Sequence, residues 1–124
     1  MAAVKDVTEL VAWQLANELW THALELANRP PVAPHRRYRN QLIDAASAGP
    51  RHIAEGFGGF GPKEFADLVR VAKASEHELL ELFGEARRRG FLNEKECGEY
   101  EFLARRAIAA ATGLIRYLET VRER

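Results

Sequence analysis

The chain has 124 residues, enough for one domain and short for two, and its 47% apolar and 29% charged residues argue against disorder. Eighteen basic side chains balance eighteen acidic ones, so the basic excess that usually marks sequence-independent nucleic-acid binding is absent. The single cysteine, Cys97, excludes an internal disulfide framework, and no apolar run approaches the ~20 residues of a membrane span.

Four helical patterns follow one another, separated by breaks rich in Pro and Gly. The first covers about residues 8–28, with Gln14, Asn17, Glu18, Thr21, Glu25 and Asn28 recurring at threes and fours on one face. Its apolar residues form two stripes, Ala12, Ala16, Leu19, Ala23 and Leu26 beside Trp13, Trp20, Leu24 and Ala27. A helix with one partner needs a single stripe, so the second predicts a further surface to cover. Arg29-Pro-Pro-Val-Ala-Pro34 ends this helix, because proline lacks the amide donor and restricts its predecessor.

The second helix is expected over about 35–57, with Tyr38, Leu42, Ala45, Gly49 and Ile53 inward and small residues from Ala45 to Gly49. Pro50 falls inside it at a cost of about 3 kcal/mol, which predicts a kink; Ile53 and Ala54 continue the stripe beyond. Gly56 to Pro62 is the next break, and Pro62 with Glu64 opens a third helix over about 62–89. Phe65, Leu68, Val69, Ala72, Leu79, Phe83 and Ala86 form its stripe, Ser75 falls between Ala72 and Leu79, and Arg87-Arg88-Arg89-Gly90 closes it. Asn93 and Glu96 have capping-box spacing and open a fourth helix over about 93–122, which continues through Tyr100, Ala104, Ala107, Ile108, Ala111, Leu114, Ile115, Leu118 and Val121. No segment alternates with period two, and the short connections favour antiparallel neighbours. The expected fold is all-α, an antiparallel up-down four-helix bundle in one domain, residues 1–124.

Chemistry-bearing patterns are few. Gly56-x-Gly58-x-x-Gly61 copies the dinucleotide glycine pattern but follows a helix, and Pro62 stands where a phosphate loop needs Lys. A helix–helix turn with Phe57 and Phe60 packing back is expected instead. No His among His22, His35, His52 and His77 follows a Glu by three residues, so the di-iron signature is absent and no metal or cofactor is expected. His52-x-x-Glu55 has the reversed order. Ser47, Ser75 and Cys97 lie on separate helices with no elbow-type motif around any of them, so no catalytic residue is assigned. Glu94, Glu96 and Glu99 oppose a lowered thiol pKa at Cys97.

Two features remain. Ser75 on the core stripe, Glu78 beside it and Glu55 beyond Pro50 need partners if buried. They form either a structural network that satisfies groups freed by Pro50, or a ligand notch with Glu55 and Glu78 as acceptors. The second feature is charge placement: residues 29–52 hold five arginines against one acid, Asp44, helix four ends in Arg116, Arg122 and Arg124, and acids gather between Glu76 and Glu101. Fourteen of the eighteen cations are arginine, which suits phosphate. Either this is a solvated face of intrahelical pairs, or Arg36, Arg37, Arg39 and Arg51 with Arg87, Arg88 and Arg89 contact nucleic acid.

Leu10-Val-Ala-Trp13-Gln14-x-Ala16, Gln41-Leu42, Ser47-x-x-Pro50-x-x-Ile53-Ala54-Glu55-Gly56, Phe65 and Ala74-Ser75-x-x-Glu78-Leu79 run in order along nearly the whole chain. Together they resemble the four-helix-bundle proteins encoded in 23S ribosomal-RNA intervening sequences, themselves similar to the accessory variability determinant of diversity-generating retroelements. His52 replaces a usual asparagine and Ala74 a frequent glycine. The resemblance implies a homo-oligomer, a pentameric ring, with no established enzyme activity; the retroelement members are basic and are thought to bind nucleic acid and a reverse transcriptase. A ring would cover the second stripe of helix one, with Trp13, Trp20 or Leu24 at the subunit contact. Residues Met1 to Asp6 lack the plan of a signal peptide. The expected protein is therefore a cytoplasmic, non-enzymatic, oligomeric scaffold or interaction protein without a membrane partner. The alternative is an RNA- or DNA-binding accessory protein that uses the arginine-rich face.

Overall fold

The computed structural model describes residues 4–59 and 61–122. Phe60, Arg124 and the first three residues, which carry some of the expectations above, lie outside them, as does the side chain of Arg122. A 3-10 turn, Val7–Glu9, precedes α1 (Val11–Ala27), α2 (Arg36–Phe57), α3 (Pro62–Arg88) and α4 (Glu94–Arg122), with no strand among the described residues.

Local chemistry sets most of these limits. Helix one starts three residues later than its pattern suggests, because Asp6 and Glu9 form their own capping box. The Thr8 amide donates to Asp6 Oδ1 at 2.9 Å and the Asp6 amide to Glu9 Oε2 at 2.7 Å. Leu10 then takes an extended conformation before α1 begins. At the other end of the bundle Gly90, with φ of 76°, closes α3 in a Schellman turn. Its amide donates to the Arg87 carbonyl at 3.1 Å, and the Phe91 amide donates to that of Ala86 at 2.8 Å. Asn93 opens α4 as its pattern requires: the Glu96 amide donates to Asn93 Oδ1 at 2.8 Å, and the Asn93 amide to Glu96 Oε1 at 3.1 Å. The second helix runs on through Pro50, which is buried.

Each helix packs on its sequence neighbour and α1 also packs on α4, which makes a four-helix bundle. The contacts run in opposite senses along each pair. Tyr38 near the start of α2 donates to the Leu82 carbonyl near the end of α3 at 2.6 Å, while Gly56 at the end of α2 lies on Phe65 at the start of α3. Cys97 meets Phe83 at one end of the α3–α4 contact and Glu119 meets Arg70 at the other. A Cβ at Gly56 would fall 2.6 Å from Phe65 Cδ1 and 3.2 Å from its Cα, so only glycine lets α2 and α3 approach this closely.

The core has a large cluster around Leu19, Leu26, Leu42, Leu79, Phe83 and Tyr100, on which Val32 of the proline-rich loop also packs. Toward the other end lie two smaller clusters, Ala66, Val69, Ala111, Ile115 and Leu118, and Ala12, Ala16, Ile53 and Ala72. The second stripe of α1 is partly covered within the chain itself: Ala27 is fully buried, and Trp13, Trp20 and Leu24 are half-buried. Trp20 packs on the large cluster and Trp13 on the Ala12–Ile53 cluster, so neither indole stands free.

Candidate functional site

Antiparallel packing brings the start of α2 to the end of α3, and with it the two arginine groups that are far apart in sequence. A cleft of about 290 Å³ opens there, lined by His35, Arg36, Arg37, Tyr38, Gln41, Glu85 and Arg89. Arg89 is already committed. It donates to Glu85 Oε2 at 2.9 Å and to His35 Nδ1 at 3.1 Å, and its guanidinium lies 5.4 Å from the Tyr38 ring centre and 5.0 Å from that of Phe91. Arg36 and Arg37 are exposed and make no ion pair among the described residues. His35 caps α2 without a side-chain hydrogen bond, so the positive end of a 22-residue helix adds to the field in the cleft. Tyr38 forms its floor; burial pushes its phenol well above the usual range, and its Oη donates to the Leu82 carbonyl.

The remaining arginines divide differently from the expected face. Arg39 turns away, donating to the Ala27 carbonyl and to Asn28 Oδ1, both at 3.2 Å, where its charge suits the C-terminal end of α1. Arg51 is exposed fifteen residues beyond Arg36, roughly 22 Å along the same helix. Arg88 is exposed and does not line the cleft, and Arg87 reaches toward Glu94 at 3.9 Å. One further arginine is structural. Arg29 donates to the Phe91 carbonyl at 3.1 Å and pairs with Glu96, tying the proline loop to the α3–α4 turn. The signal for it was the Glu96 of the capping box, which has a second oxygen to offer.

The residues carrying the family resemblance do not gather into a notch. Glu55 and Glu78 are both exposed, and Glu55 Oε2 lies 3.6 Å from His52 Nδ1. Ser47 is half-buried and donates to the Asp44 carbonyl at 3.2 Å; Ser75 is half-buried. Pro50, Ile53 and Gly56 are buried and Ala54 half-buried, where they shape the contacts of α2. The polar group in the core is the neighbour of Ser75, Glu76, at 1% exposure. The helix phase contains it: Ala72, Glu76, Leu79 and Phe83 are spaced four, three and four, so the inward position falls on 76 and not on 75. Neither Glu76 oxygen has a hydrogen-bond partner, and burial raises its pKa to about 8 against a smaller opposing pull from Lys73.

Among the described residues no three His, Cys, Asp or Glu side chains come close enough to hold a metal. Cys97 is fully buried with its thiol directed at the Phe83 carbonyl, 3.4 Å away, and burial raises its pKa, which keeps it protonated and unreactive.

Apolar surface stands open elsewhere than at the tryptophans. A groove of about 240 Å³ between the start of α1 and the middle of α4 is lined by Leu10, Val11, Ala12, Ala110 and Leu114. Val11 is 59% exposed on its rim, and Tyr117, one turn beyond Leu114, is 53% exposed. Phe102, nearer the start of α4, is 65% exposed, with Arg106 6.0 Å from its ring centre. No helix of the described residues is long and apolar enough to cross a membrane.

No curated protein and no solved structure matches the chain significantly. The family model described as 23S rRNA-intervening sequence protein matches residues 8–112, from the 3-10 turn that precedes α1 into the α4 side of the apolar groove, short of Leu114. The match spans the arginine cleft, Pro50 and Glu76 alike, and the chain therefore belongs to the 23S rRNA-intervening sequence protein family.

Proposed function

We propose that this protein is a non-enzymatic, self-associating scaffold of the cytoplasm whose helices α1 and α4 supply the contact between copies. The observation that carries this is the apolar groove between them, with Val11 on its rim and Tyr117 three residues past Leu114, both at more than half exposure. Contiguous apolar surface of this kind marks association sites more often than free surface. The half-buried Trp13, Trp20 and Leu24 extend the apolar character around α1, and the family resemblance suggests a ring of five. Cyclic closure would place the groove of one copy against a different face of the next. Light scattering should give a mass near 70 kDa for five chains of 14.0 kDa. Tyr117→Glu and Val11→Glu should lower that mass while leaving the helical circular dichroism unchanged. A wild-type mass of 14.0 kDa at micromolar concentration would refute the proposal.

A second reading rests on the arginine cleft: Arg36 and Arg37 without ion pairs, Arg89 on the same lining, and the start of α2 at the same space. Such a set would contact RNA or DNA through phosphates, with little choice of sequence. Anisotropy of a labelled structured RNA should then show binding at 50 mM salt that weakens by orders of magnitude near 200 mM, and Arg36→Gln with Arg37→Gln should remove it. Absence of binding at the lower salt would leave the arginines as a solvated end of the bundle.

A further inference from the structure

The core of the bundle is interrupted at one level, and a single side chain occupies the interruption. Leu79 and Ala107 belong to the large cluster; Ala72, Ala16 and Ile53 belong to one smaller cluster and Val69 and Ala111 to the other. Glu76 lies between Ala72 and Leu79 on α3, fully buried, with both oxygens unpartnered. The helices facing it are cut back to make room. On α2 the position is Gly49, whose absent Cβ would lie 3.8 Å from Glu76 Oε2 and 3.3 Å from the Cβ of Ala16 on α1. The next residue, Pro50, has no N–H, so the Ala46 carbonyl on the same stretch of α2 lacks its helical donor.

An ionised carboxylate only accepts hydrogen bonds, and this one has nothing to accept from; a protonated carboxyl also donates. Burying the charged form unpaired is among the costliest arrangements a core can hold. The charged and titratable neighbours do not offset it. On α3 Lys73 lies one turn back and favours ionisation weakly. On α2 His52 lies one turn beyond Gly49; its Nδ1 is buried without a hydrogen-bond partner, 3.6 Å from Glu55 Oε2. The α1 helix contributes Ala16, across Gly49, and Ala107 and Ala111 of α4 belong to the apolar clusters on either side of this level.

We propose that Glu76 is a proton-operated latch in the bundle core: with its proton it lets the four helices close around the Ala16–Gly49 layer, and on releasing that proton to water it loosens them there. Closure is therefore strongest in mildly acidic solution and weakens as the medium becomes alkaline. A raised carboxyl pKa means that the folded chain holds a proton which the unfolded chain has released, so stability falls with rising pH between the two values.

The test is urea unfolding of the full chain between pH 5 and pH 9.5, for wild type and Glu76→Gln. The wild-type unfolding constant should rise close to tenfold per pH unit relative to the variant up to about pH 8, then run parallel to it. A difference curve that is flat across this range would overturn the latch. Because the glutamine can itself perturb folding, infrared difference spectra supply an independent readout. A protonated-carboxyl band at pH 6, lost by pH 9.5 and missing from Glu76→Gln, supports the proposal; absence of that band from the wild type at pH 6 overturns it.

Discussion

The glycines of the helices offer a matched experiment in which the same substitution has opposite signs. Inside a helix, alanine is favoured over glycine by about 0.5–1 kcal/mol, through lower chain entropy in the unfolded state. At Gly98 and Gly113 of α4 a new Cβ meets nothing within 4 Å, so that gain is realised in full. At Gly56 the same Cβ falls 2.6 Å from Phe65 Cδ1, 3.2 Å from the Phe65 backbone and 3.3 Å from Leu68 Cβ. The phenyl ring can rotate aside, but the backbone of α3 cannot, and overpacking of this kind costs about 1–3 kcal/mol. The net loss at Gly56 should be about 1–2 kcal/mol after the propensity gain. For a chain of this length that corresponds to a fall in Tm of roughly 4–8 °C, against a rise of roughly 2–4 °C for each α4 variant. Gly49→Ala lies between the two, since its Cβ would meet Ala16 at 3.3 Å, and should be close to neutral. Thermal unfolding by circular dichroism at one pH and one protein concentration reads all four. A Gly56→Ala protein as stable as Gly98→Ala would refute the close approach of α2 and α3.

Three further outcomes follow from the ends and ties of the helices. Gly90→Ala places a Cβ at φ of 76° and should lower stability by roughly 1 kcal/mol in urea melts, without change at the neighbouring Asn93 cap. Tyr38→Phe removes the buried donor to the Leu82 carbonyl and should cost about 1 kcal/mol by the same assay. Pairing with Arg29 holds the Glu96 carboxyl below the ordinary carboxylate range, so its contribution is present above the unfolded value near 4.5 and disappears as pH falls through the lower folded value. The stability gap between wild type and Arg29→Met should accordingly be constant from pH 5 to pH 7 and narrow in more acidic solution.

The four helices were legible because their limits are written in short-range chemistry. Asn93 with Glu96, Gly90 after three arginines, Pro62 and the proline-rich loop each act within one turn, so position along the chain is enough to read them. The same kind of signal, Asp6 with Glu9, was present at the N-terminus and closes a separate 3-10 turn, which moved the start of α1 from Thr8 to Val11. Periodicity was weaker evidence for individual polar residues. A phase error of one residue exchanged Glu76 for Ser75, and a helix turns 100° in that step, enough to carry a side chain from the core to its edge.

Residue order alone is enough for the all-helical class, for most of the helix limits and for the presence of more apolar surface on α1 than one partner needs. Where that surface goes depends on how the helices pack: Trp13 and Trp20 lean on the bundle's own core, and the open apolar groove lies instead between Val11 and Leu114. That packing alone joined Arg36 and Arg37 to Arg89 at one cleft while directing Arg39 to the end of α1 and leaving Arg51 far along α2. The physical reason is range. Caps and turns are settled by bonds within four residues, whereas exposure, charge clustering and the isolation of Glu76 depend on which helix faces meet, and residues more than twenty positions apart settle that.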